Sequence, residues 1–369
     1  MLSAPRPGSV AVIGTGLIGT SIALALRKHG VEVWLSDRDP AAAAMAAELG
    51  AGRLLTSGAL AGQPADIAVL AVPPGAVAGA LAKAQRSGLA RCYTDAASVK
   101  QMPLEQARRA GCDLASFVPS HPMSGRERSG PSAAQADLFA GRSWVICPAP
   151  ETAPECVDAV TGLALACDAQ PVTMPAREHD QVVALISHAP HLVAAAMAAQ
   201  CGLAPAAALA LAGPGLRDVT RIAAGDPDLW AEILTANATA VSQVLAAVAD
   251  RLATAASDLA AVAAGEQDAA KGLAAVLAAG QAGAEAIPGK RGGPAPHYAV
   301  VQVVIGDRPG ELAGIFAAAS AAGINVEDIR IEHTPGLEVG IAELSVRPER
   351  ARELSAALSA AGWPVASPS

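Results

Sequence analysis

The stretch SVAVIGTGLIGTS, residues 9–21, constrains this chain more than any other. A short β-branched run ends in Gly14-Thr15-Gly16-Leu17-Ile18-Gly19, and the residues after it have the composition of a helix. A glycine turn between a strand and a helix lets the backbone approach a pyrophosphate, and the helix start supplies free N–H donors and the positive end of a dipole. Gly14, Gly16, Leu17, Ile18 and Gly19 are therefore expected to hold a dinucleotide. Asp37 closes the next apolar run, VEVWLSD, where an acid binds a ribose 2′-hydroxyl and repels a 2′-phosphate. NAD is favoured over NADP, with Arg38 beside the acid pulling the other way.

Up to about residue 165, β-branched runs alternate with alanine-leucine stretches. Residues 9–14, 31–37, 66–72, 91–96, 114–119 and 143–148 are the strand candidates, and the alternation predicts right-handed βαβ units in a doubly wound, mostly parallel Rossmann-type sheet. Strand signals vanish from about Pro175 to Ile287, which predicts an all-α domain of alanine-rich helices that pack closely, as across a dimer interface. IPGKRGGPAP, residues 287–296, reads as a linker. The remainder reads as strand, helix, strand, strand, helix, strand, a ferredoxin-like α+β unit. The expected domains are 1–170, 171–287 and 297–369, with 288–296 as linker.

With charged residues at 16% and a net charge of -8, the chain has no basic footprint for nucleic acid. The six cysteines contain no C-x-x-C pair, so neither a zinc site nor a disulfide framework is expected, and a reducing cytoplasm fits. The apolar segments read as too interrupted for a membrane span, which predicts a soluble protein.

In an open parallel sheet, ligands lie beyond the carboxyl ends of the strands. Two polar segments fall there: TDAASVK, with Ser98, and SHPMSGRERSG, with His121. A neutral imidazole is suited to take a hydroxyl proton near neutral pH, so His121 is the candidate base, with Ser98 to orient it or the substrate. Taken singly, an isolated His-Pro is more often a solvated turn. His188 and His191 share a helical face, but no third ligand follows at useful spacing, so no metal is expected.

The segments GTGLIGTS, TDAASVK, SHPMSGRERSG, SHAPH and GPGLRDVTRIAAGDPDLW, in this order, resemble the prephenate/arogenate dehydrogenase family over the first 285 residues or so. DRPGELAGI and its surroundings resemble an ACT domain, an amino-acid-binding regulatory module. The resemblance implies an NAD-dependent oxidative decarboxylation of prephenate to 4-hydroxyphenylpyruvate in tyrosine biosynthesis, with arogenate as the alternative substrate. It implies His121 and Ser98 as catalytic residues, Arg221 as the carboxylate anchor, and His188, Glu127 and Trp230 as further substrate contacts. It also implies a homodimer and a tyrosine effector held near Asp307, Gly310 and Asn325. Read from its residues alone, Arg221 is also placed for an i,i+3 ion pair with Asp218. β-Hydroxyacid dehydrogenases, which share the domain order, use a helix lysine, and residues 175–265 contain none. The non-enzymatic alternative is an NAD- and amino-acid-responsive sensor.

Overall fold

A computed structural model describes residues 4–56, 60, 62–124, 130–288, 297–333 and 338–366. The chain divides into two compact units, residues 1–202 with 219–248, and residues 203–218 with 249–369.

In the first unit, β1 (Ser9–Ile13), α1 (Leu17–Lys28), β2 (Glu32–Ser36), α2 (Pro40–Glu48), β3 (Arg53–Leu54), β4 (Ala65–Leu70), α3 (Val77–Arg86), β5 (Ala90–Asp95), α4 (Gln101–Arg109) and β6 (Phe117–Val118) follow one another. Their strands form one parallel sheet in the order β3-β2-β1-β4-β5-β6. The order in which successive strands are added reverses between β1 and β4, which places a ligand crevice at their carboxyl ends. The strands are apolar on both faces because both are covered: Val10 and Val12 pack with Ile22 and Leu26 of α1, whereas Ala11 packs with Val77 and Leu81 of α3 and Leu104 of α4.

One expected strand of this sheet is shortened and another lies elsewhere. The run at 114–119 contributes only Phe117–Val118, after which β7 (Ser120–Pro122) leaves the sheet. β7 pairs antiparallel with β8 (Ser143–Ile146), the expected sixth strand, and β8 pairs in parallel with β9 (Gln170–Thr173), beyond α5 (Pro154–Ala166). β3 and β9 were not expected; both are short and largely exposed, so they carry little apolar signal.

Beyond β9 the chain is helical, as expected: α6 (Ala176–Val183), a π turn at Ala184–His188, α7 (Ala189–Cys201), α8 (Ala206–Leu209), α9 (Pro214–Thr220), α10 (Pro227–Ala236), α11 (Ala238–Ala263) and α12 (Ala270–Glu285). Pro190 cannot donate to the carbonyl four residues back, and the ladder widens into the π turn just before it. Contrary to the sequence expectation, the continuous rod Ala176–Cys201 is long and apolar enough to cross a membrane by length and composition. It nevertheless buries His179, Asp180, His188 and His191 in the first unit.

The second unit contains β10 (Ala299–Gly306), α13 (Glu311–Ala321), β11 (Asp328–His333), β12 (Val339–Val346) and α14 (Ala351–Ala360). The sheet is antiparallel in the order β10-β12-β11, and Val301, Val303, Ala342 and Leu344 face Ile315, Leu354 and Leu358 of the helices. The expected last strand is reduced to a single bridge, Val303 to Val365. Most of the expected linker, residues 289–296, lies outside the described residues.

One expectation about cysteine is overturned: Cys92 on β5 and Cys156 on α5 form a disulfide. They are 64 residues apart and become neighbours only when α5 packs across the sheet, so their spacing carried no signal.

Candidate active site

The glycine turn has the form that a dinucleotide needs. Gly14 has φ +96°, and a Cβ on it would lie 2.2 Å from the Ala71 carbonyl oxygen. A Cβ on Gly19 would lie 1.9 Å from the Gly14 oxygen, so this glycine is required to pack α1 on the turn. Gly16 differs, with nothing within 4 Å of its Cβ position, which leaves open space over the helix start. No side chain caps α1, so the first-turn N–H groups at Leu17, Ile18 and Gly19 are available to an anion. Among the described residues, these features fit a bound pyrophosphate.

Asp37 lies just beyond β2. Its Oδ2 accepts from the Thr15 hydroxyl at 3.0 Å and also from the Thr15 N–H, while Oδ1 accepts from Asp39 N–H at 2.9 Å. Burial alone would raise its pKa, but these donors together hold it below the usual value. The acid is thus ionised and tied to the glycine turn, as an acid opposite a ribose must be.

His121 is the central residue of β7, paired to Val145, and not a loop histidine. Its Nδ1 is 2.9 Å from Nε2 of His179, and the two rings meet edge to face. Nδ1 of His179 is 2.8 Å from Oδ1 of Asp180. That carboxylate in turn accepts the backbone N–H of Lys100 at 2.8 Å and of Gln101 at 2.9 Å, so it caps the start of α4. The chemistry of the end groups assigns the protons. A carboxylate only accepts, so His179 Nδ1 donates to it. With His179 neutral, its Nε2 is a lone pair that accepts the His121 Nδ1–H. The Nε2 of His121 is then a lone pair as well, the state a general base requires. Burial, followed by the nearby His179, Lys100 and His188, keeps the His121 pKa well below the ordinary value, so the ring is neutral at pH 7.

Ser98 is half-buried in the loop between β5 and α4 and, among the described residues, makes no hydrogen bond to His121. The side chain hydrogen-bonded to the imidazole is that of His179. His179 carries no separate signal in the sequence, since REHDQ has the composition of a polar helix start.

A second buried set braces the same strand. The Lys100 ammonium, fully buried, ion-pairs with Asp95 and donates to the Ser120 carbonyl oxygen at 2.6 Å. Asp95 also accepts the Ser120 N–H at 3.1 Å and the Ala97 N–H at 3.1 Å. Burial pushes the Asp95 pKa up, and the Lys100 charge pulls it back. TDAASVK therefore contributes its aspartate and lysine as the brace under His121.

His188 is buried at the end of the π turn, and Trp230 of α10 stands edge-on to it at 6.2 Å between ring centres. His191 stacks on the same indole at 3.6 Å. The two histidines thus flank an aromatic ring, and no group of three or more metal-ligating side chains is found among the described residues. Burial lowers the His188 pKa to about 4.

Arg221 is exposed, in a 3₁₀ turn at Arg221–Ala224. Asp218, its possible ion-pair partner in the sequence reading, instead meets Arg330 at 3.6 Å. Glu127 lies outside the described residues. Of the three expected effector contacts, Asn325 lines a cavity of about 470 Å³ in the second unit with Gly323, Glu327, Arg347, Glu349 and Arg350. Gly310, with φ +95°, begins α13 without a side-chain cap, and Asp307 is exposed; neither lines that cavity.

Sheet order, glycine turn and buried imidazoles define a nucleotide-dependent dehydrogenase. The family profile described as prephenate dehydrogenase, nucleotide-binding domain, matches residues 22–173, and that of the prephenate dehydrogenase dimerization domain matches residues 175–277. The chain belongs to the prephenate dehydrogenase family. It is 36% identical over 358 residues to the probable prephenate dehydrogenase NovF of Streptomyces niveus, covering 96% of this chain and 98% of that one. It is 33% identical over 238 residues to a prephenate dehydrogenase of Bacillus subtilis, covering 62% and 64%. Among solved structures, an arogenate dehydrogenase of Synechocystis is similar with a TM-score of 0.60 and 26% identity, over 74% of this chain and 99% of that one. A prephenate dehydrogenase of Aquifex aeolicus, solved with hydroxyphenyl propionate and NAD+, shares the fold with a TM-score of 0.65 and 24% identity, over 76% and 99%.

Proposed function

We propose that the chain is an NAD-dependent prephenate dehydrogenase, converting prephenate to 4-hydroxyphenylpyruvate and carbon dioxide. The observation that carries the reading is the chain of hydrogen bonds Asp180–His179–His121, which leaves the His121 Nε2 lone pair as base in a family member with an intact glycine turn.

NAD, when bound, supplies the hydride acceptor. His121 takes the proton of the ring hydroxyl through Nε2. As the hydroxyl-bearing carbon becomes a carbonyl, that carbonyl draws in the electron pair released when the ring carboxylate departs as carbon dioxide, and the ring becomes aromatic. The proton on His121 is stabilised through His179 and the ionised Asp180, so no charge is left isolated in a buried place. Arg221 is assigned to a substrate carboxylate, for which a planar guanidinium is suited. Ser98 and Glu127 remain assigned to the substrate side of the site, with His188 as a second contact and Trp230 as its aromatic wall.

The family description of residues 175–277 as a dimerization domain supports a homodimer, and the exposed Leu252, Leu259 and Leu277 fit such a use of α11 and α12. The second unit is assigned as an ACT-like regulatory domain that binds tyrosine, supported by the uncapped start of α13 at Gly310 and the cavity beside Asn325. A cytoplasmic location accords with the biosynthetic reading, while the Cys92–Cys156 bond runs against a reducing compartment.

The test is NADH formation by the purified full chain with prephenate and, separately, arogenate. Turnover of prephenate that falls by about 10²–10⁴-fold in His121→Asn, with NAD affinity unchanged, is expected. Near wild-type turnover by that variant would remove His121 from the mechanism, and turnover of arogenate alone would reassign the substrate.

A further inference from the structure

Asn237 is buried where α10 ends, and nothing in the sequence reading singled it out. Its amide nitrogen is 2.8 Å from the backbone carbonyl oxygen of Asp180 and 3.1 Å from Nδ1 of His188. A backbone carbonyl can only accept, so the amide atom facing it must be the NH₂ group and not the oxygen. The second N–H of that group points at His188 Nδ1, which must therefore carry a lone pair. The remaining proton of the neutral ring is then on Nε2.

We propose that Asn237 fixes His188 as an Nε2–H donor, and thereby selects a substrate that presents a hydrogen-bond acceptor to this ring. The inference rests on the reading of His188 as a substrate contact in a prephenate dehydrogenase. Prephenate and arogenate differ at one side-chain position, a keto oxygen in the first and an ammonium in the second. The keto oxygen accepts from Nε2–H, whereas the ammonium has only donors and meets a donor. The surroundings oppose the alternatives. Asp180 spends its carboxylate on His179 and on the start of α4, so it is not free to pair with an imidazolium at His188. Trp230 stands edge-on to the His188 ring and is itself stacked on His191. Asn237 is a positioning residue, because it acts through His188.

Two measurements test this. Histidine nitrogen NMR of the full chain near pH 7 should show His188 protonated at Nε2 and unprotonated at Nδ1. The ratio of kcat/KM for prephenate to that for arogenate should fall about 10–100-fold in Asn237→Leu, through KM for prephenate more than through kcat, with KM for NAD unchanged. Asn237→Gln, which retains an amide donor, should recover part of the ratio. Equal losses on both substrates, or the reverse tautomer in a wild-type chain that turns over prephenate, would overturn the role of Asn237 alone. The NMR arm needs no variant, so a poorly folding Asn237→Leu does not shelter the proposal. NADH from neither substrate would refute the prephenate reading and the selectivity with it.

Discussion

Asp180→Asn changes one oxygen to NH₂ and keeps the shape of the side chain, yet it should disable His121 at two removes. Asp180 accepts three hydrogen bonds, from Lys100 N, Gln101 N and His179 Nδ1. An asparagine has only one oxygen, so whichever way the amide turns, an NH₂ group faces a former donor. If it faces His179, Nδ1 must accept, Nε2 becomes the N–H, and His121 must accept it at Nδ1. The His121 proton then resides on Nε2, where the base lone pair is needed. The expected loss is that of a general base, about 10²–10⁴-fold in kcat, or about 3–5 kcal/mol of barrier. The Lys100 N–H, which shares the Oδ1 position with His179, then loses its acceptor as well. If the amide turns the other way, the Gln101 N–H loses its cap, for about 0.5–2 kcal/mol of stability, and the relay survives. Steady-state NADH formation separates the two. The pairing also predicts non-additivity: His121→Asn added to Asp180→Asn should cost little more than either alone. Losses that multiply in the double variant would refute the relay, as would a loss of less than tenfold in kcat with no loss of stability, which neither amide orientation allows.

Gly19→Ala should prevent stable folding of the first unit, because its Cβ would lie 1.9 Å from the Gly14 oxygen, whereas Gly16→Ala should fold normally and weaken NAD binding; equal unfolding temperatures for the two would contradict this account. Lys100→Met leaves the Asp95 carboxylate buried without its cation and should cost about 3–5 kcal/mol, read from denaturant unfolding at pH 7. His188 titrates near 4 in the folded chain against 6.5 ordinarily, so the unfolded chain binds the extra proton between these values. Its contribution to stability is therefore present above pH 6.5 and lost as pH falls toward 4. His188→Gln should flatten that acid limb of the unfolding temperature, and an unchanged limb would exclude His188 as its source.

The local pattern of residues determined what could be decided locally. SVAVIGTGLIG followed by Asp37 specifies strand, turn, helix and acid through steric and donor requirements that act within a few residues of one another, and each is present. The helical run after Pro175 was equally legible, since no β-branched alternation interrupts it. His121 was identifiable as a candidate base, but its hydrogen-bond partner was not. His179 lies 58 residues away, and Asp180 acts on α4 across 80, so only packing of α6 against the start of α4 brings the relay together. The same holds for Cys92 and Cys156, and for Asn237, whose role depends on α10 ending beside the π turn. Strand β7 shows the reason most directly. Its three residues carry no periodic signal, and what takes His121 out of the parallel sheet is pairing with β8, together with the Lys100–Asp95 brace beneath Ser120. Contacts between residues distant in sequence leave no spacing to read, so they became visible only once the chain was folded.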